Sequence, residues 1–62
     1  MNQLTVKLNN GREALAKQSE FGPSAKAFSN RTQAYQAAFV AGENWEVARF
    51  SGRPFYVVKK VL

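Results

Sequence analysis

The chain has 62 residues, near the lower limit for a domain that folds unaided, and sets nine Lys and Arg against four Glu for a formal net charge of +5. It contains no Cys and no His, which excludes disulfides and thiolate metal centres and removes the commonest general base. An apolar fraction of 45% that includes Trp45, five Phe and two Tyr is a folding composition, yet no run approaches the roughly 20 apolar residues of a membrane span.

The first residues, Met1-Asn2-Gln3-Leu4-Thr5, lack the basic-then-apolar plan of a signal peptide, so a cytoplasmic protein with one domain over 1–62 is expected. Leu4, Val6 and Leu8 then alternate with polar residues, the period of a half-buried strand. Asn10-Gly11 suits a two-residue hairpin turn, which would set Val6 opposite Leu15 and Leu8 opposite Glu13. A helical turn over Arg12-Glu13-Ala14-Leu15-Ala16-Lys17 competes with that hairpin, because Ala, Leu, Glu and Lys all favour helix. Ser19 to Ser24 reads as a connection broken by Gly22-Pro23.

Ala25 to Phe28 reads as a short strand leading into a helix. Ser29 or Asn30 can cap that helix, Asn30 with Gln33 forming an approximate capping box, and Gly42 stops it. Ala34, Ala38 and Ala41 share one face, flanked by Tyr35 and Phe39, so the helix is expected to lie close on a sheet. Trp45 to Phe50 and Phe55 to Val61 then form a second hairpin. A four-residue loop, Ser51-Gly52-Arg53-Pro54, sets Phe50 opposite Phe55, Ala48 opposite Val57 and Glu46 opposite Lys59. The expected architecture is α+β: hairpin, helix, hairpin, with the single helix packed on a small antiparallel or mixed sheet.

Residues 28–58, "FSNRTQAYQAAFVAGENWEVARFSGRPFYVV", resemble one strand-helix-hairpin repeat of the SPOR family, a peptidoglycan-binding module. The resemblance runs through Phe28, Ser29, Asn30, Arg31, Ala34, Ala37, Ala38, Gly42, Val47, Gly52, Tyr56 and Val57. It implies a strand, helix, strand, strand order. A SPOR domain has two such units and this chain has one, so glycan binding is not carried over.

The predicted register divides the second hairpin into two faces. Phe50, Phe55, Ala48, Val57 and Val61 make the more apolar one, placed under the helix, which leaves Trp45, Arg49, Tyr56 and Lys60 on an open side with Arg53 at the rim. Aromatic rings among cations suit single-stranded nucleic acid, since rings stack on bases and cations neutralise phosphate. Lys26 and Arg31, near the helix start, are expected as auxiliary phosphate contacts. The structural alternative is that Arg49 stacks on Tyr56 and the lysines only keep the sheet soluble. A third reading is a protein interface, with an acidic partner or a homodimer, anchored on Trp45, Tyr56 and Arg49.

No pair of the four glutamates is spaced for acid/base work, the glycines are isolated and no phosphate loop is present. No catalytic residue, cofactor or metal site is expected, and the chain reads as a binding protein.

Overall fold

The computed structural model describes residues 3–50, 52 and 54–61. Its elements are β1 (Thr5–Lys7), β2 (Glu13–Ser19), β3 (Gly22–Ala25), α1 (Arg31–Ala41), β4 (Trp45–Arg49) and β5 (Phe55–Lys59). The strands pair in the order β1-β2-β5-β4, all antiparallel, and β3 pairs with the C-terminal half of β2. This is the expected α+β class with one helix on a small sheet. Residues 12–17 resolve into strand, since β2 runs through all but the first of them.

The N-terminal hairpin extends into a three-stranded meander, because the predicted connection at Gly22-Pro23 is itself strand β3. Pro23 is tolerated there by register. Lys26 N–H donates to Leu15 C=O, so the alternation turns the Pro23 nitrogen away from β2, where a missing donor costs nothing. The turn before it is held by Ser19, whose Oγ donates to Gly22 C=O and accepts from Phe21 N–H.

Both hairpins pair one residue away from the predicted register. In the first, Val6 faces Ala14 and Thr5 faces Leu15, because Leu8 N–H bonds Arg12 C=O around a three-residue loop, 9–11. Gly11 takes the left-handed conformation at φ 87° while Asn10 does not, and Asn10 Oδ1 accepts from Arg12 N–H at 3.0 Å. That is the three-residue alternative to the two-residue turn. In the second, Arg49 faces Phe55, Val47 faces Val57 and Trp45 faces Lys59, leaving five residues, 50–54, between the strands. A slip of one residue moves a strand's side chains to the other face.

The helix forms where its caps predict. Asn30 Oδ1 accepts from Thr32 N–H at 2.8 Å, and Gly42, at φ 120°, donates to Ala38 C=O. α1 packs on β4 and β5 through Ala34 and Ala38, with Ala37 and Ala41 beside them, against Phe28, Leu15, Val47, Phe55, Val57 and Trp45. Small residues on the inner face let the helix axis come close to the sheet.

The sheet's second face is buried at its centre and half-buried around it, where an open face is expected. Val6, Ala14, Val58 and Glu46 lie opposite one another in a row across four strands, and Ala14 and Val58 are 0% exposed. The sheet curls over this row, bringing Val6 and Leu8 of the first hairpin to Phe50 and Tyr56 of the second, with Ala25 lining the same hollow. One helix and one curl together cover two apolar faces.

Candidate functional site

The one-residue slip in the second hairpin divides the predicted site. Trp45 and Arg49 fall on the helix side, where Trp45 packs against the core, whereas Tyr56 falls on the curled side with its ring centroid 5.9 Å from that of Phe50. Arg49 does not stack on Tyr56. Its guanidinium carbon stands 5.3 Å from the Phe55 ring centre and its Nε donates to Gly52 C=O at 2.9 Å. The expected ion pair between Glu46 and Lys59 is replaced for the same reason. Glu46 Oε2 accepts from Arg12 Nη2 at 2.7 Å, and Lys59 Nζ lies 3.8 Å from Glu13.

Of the other predicted contacts, Lys26 places its Nζ 5.3 Å over the Phe28 ring, and Arg31 lies 5.5 Å over Tyr35. Phe28 and Phe55 bridge one another through reciprocal backbone bonds, so Lys26 and Arg49 cover two neighbouring rings. Lys60, beyond the end of β5, reaches the rim of the helix-side surface beside Trp45. Arg53 lies outside the described residues. The structure thus gathers Lys26 and Arg49 near the start of α1 and sets Lys60 beside Trp45, but it does not bring Tyr56 to either group.

A different surface emerges between α1 and β4. An open groove of about 680 Å³ is walled by Tyr35, Ala38 and Phe39 on the helix and by Trp45 and Val47 on the strand, with Glu43, Glu46 and Lys60 at its margin. Phe39 is 89% exposed and Tyr35 52% exposed. Large aromatics so exposed beside a groove mark a contact surface more than a folding residue. Sequence reasoning placed these two only as flanks of the alanine stripe. A signal was present: with Ala34, Ala38 and Ala41 already fixing the buried face, Tyr35, Phe39 and Val40 carry apolar character round to positions that face cannot hide.

The strand wall of this groove is a sheet edge. Lys60 N–H bonds Asn44 C=O, so by antiparallel alternation the backbone groups of Glu46 and Ala48 face β5 and those of Val47 and Arg49 face outward. Trp45 N–H is taken by Gly42 C=O at 3.2 Å. The other edges are shorter or interrupted: β1 has three residues and β3 contains Pro23. β4, with the sequence Trp-Glu-Val-Ala-Arg, has no proline or glycine and pairs with β5 without a bulge.

No protein-family model, curated protein or solved structure gives a significant match to the chain. Among the described residues, no group of three or more acidic side chains is placed to hold a metal ion, and no helix is long and apolar enough to cross a membrane.

Proposed function

We propose that this chain is a non-catalytic protein-binding domain that receives an extended polypeptide segment along β4. The observation that carries this reading is the coincidence of an unguarded strand edge with exposed aromatics, Tyr35 and Phe39, on the neighbouring helix. A strand added to β4 gains main-chain hydrogen bonds from Val47 and Arg49, and its alternate side chains enter the groove. Trp45 lines that groove and reports its occupancy.

The test is to recover peptides from a random library on the immobilised protein and titrate them while following Trp45 emission. Saturable binding that Phe39→Ser abolishes, with little dependence on salt, supports the reading. Peptides that bind equally well to the Phe39→Ser protein overturn it.

A second reading keeps nucleic acid as the partner, supported by Lys26 and Arg49 over the neighbouring rings of Phe28 and Phe55 and by Arg31 in the first turn of α1, a turn that carries no acidic residue. In this arrangement the cations hold phosphate without an aromatic platform. Oligonucleotide binding that falls steeply with salt, and that the triple Ala substitution of these residues removes, would favour it over the peptide groove.

A further inference from the structure

We propose that the segment received by β4 is the β4 strand of a second copy of this chain, paired antiparallel about a two-fold axis at Val47. This deepens the protein-binding reading and rests on it. The sequence of the edge is self-complementary in that register: Val47 meets Val47, Glu46 meets Ala48, and Trp45 meets Arg49, so no like charges stand opposite one another.

The Trp45 and Arg49 pairing is favoured by how Arg49 is already held. Its guanidinium lies over Phe55, its direct neighbour across β5, on the helix side of the sheet. Trp45 of the second copy would arrive from the opposite direction on the same side. The cation is then enclosed between two rings, once in each half of the interface. Val47 N–H and C=O would exchange two bonds across the axis, and each Arg49 N–H would donate to the Trp45 C=O of the other copy. The ladder ends there, because Trp45 N–H, which would otherwise donate back to that Arg49 C=O, is taken by Gly42 C=O.

A two-fold axis normal to the sheet puts both helices on one side of a continuous sheet. Tyr35 and Phe39, on the flank of α1 that faces β4, then meet their counterparts over the joined strands. Among the described residues, the fully or nearly buried core of one copy is Ala14, Phe28, Ala34, Ala38, Val57 and Val58, half of it alanine. A stable interface usually covers roughly 800 Å² per partner, a large share of the 4826 Å² of the single chain. That is burial a small alanine-rich core lacks.

Sedimentation equilibrium across the micromolar to millimolar range, together with residue-resolved amide exchange, tests the proposal. The expected result is a concentration-dependent rise toward twice 6.9 kDa, with exchange at Val47 and Arg49 slowed by more than about tenfold as the dimer fills. Glu46 and Ala48, which face β5 in either state, serve as internal controls. Arg49→Glu, at an exposed position, is expected to weaken the dimer about tenfold or more by removing both ring contacts. The same change lowers the charge of each copy from +5 to +3, which alone would favour association, so weakening reports the lost contacts. A monomer at every concentration overturns the second copy as occupant; if library peptides still slow Val47 and Arg49 exchange, the groove reading survives. A dimer whose Val47 and Arg49 amides stay unprotected pairs elsewhere and overturns this proposal as well.

Discussion

Val58→Ala tests whether the curl of the sheet buries its second face. Val58 is 0% exposed and stands between Ala14 and Glu46 in the row beneath the curl, while Val57, also 0% exposed, points to the helix. Removing two methyl groups forfeits about 1.6 kcal/mol of transfer free energy at about 0.8 kcal/mol per carbon. The unfilled space adds up to about 1 kcal/mol more where the walls do not relax. The expected loss is therefore about 2 kcal/mol, and similar for Val57→Ala. In a chain of this length, with total stability of about 3–9 kcal/mol, such a loss is large. It should lower the midpoint of thermal unfolding by about 8–16 °C. Guanidinium unfolding followed by Trp45 emission and far-ultraviolet circular dichroism measures it, with the midpoint shifting at constant slope. If Val57→Ala costs about 2 kcal/mol and Val58→Ala less than about 0.5 kcal/mol, the second face is open and the account of the curl is wrong.

Three further outcomes follow from the same contacts. Asn30→Ala removes the side-chain acceptor of Thr32 N–H and should cost about 1 kcal/mol by chemical denaturation, with Asn30→Ser close to neutral. Arg12 and Glu46 join residues 34 apart in sequence across the sheet, and Arg12 also donates to Lys59 C=O at 2.8 Å. With both side chains partly exposed, a double-mutant cycle with Ala should give a coupling of about 0.5–1 kcal/mol that shrinks at high salt. Phe39→Ser at low protein concentration should leave unfolding within about 0.5 kcal/mol of the parent, since the ring has little to lose on folding; a larger loss would mean that Phe39 is packed in the single chain.

Features carried by short stretches were legible in the sequence. Asn30 and Gly42 bound the helix because a cap needs only a few neighbouring residues, and Ala34, Ala38 and Ala41 mark its inner face. Gly11 was rightly placed at a turn, and the strands expected over 45–50 and 55–61 form over 45–49 and 55–59. The α+β class follows from these elements alone. Register was not legible, because hairpin loops of two and three residues, or of four and five, differ little in local preference, whereas the choice between them moves whole rows of side chains.

That choice decided the candidate site. The four-residue loop set Trp45 and Arg49 beside Tyr56; the observed register sends the first two to the helix and Tyr56 into the curl. Burial of Ala14 and Val58 selects among registers, and burial depends on what the rest of the chain brings over them. The sequence by itself determined the helix with its caps, the presence of strands after Trp45 and after Phe55, and the excess of positive charge, while it left residues 12–17 open between helix and strand and missed β3. Only the tertiary structure decided which face each side chain occupies and that β4 is the unguarded edge beside exposed aromatics. Those properties belong to strands and a helix far apart in the chain and meet only on folding.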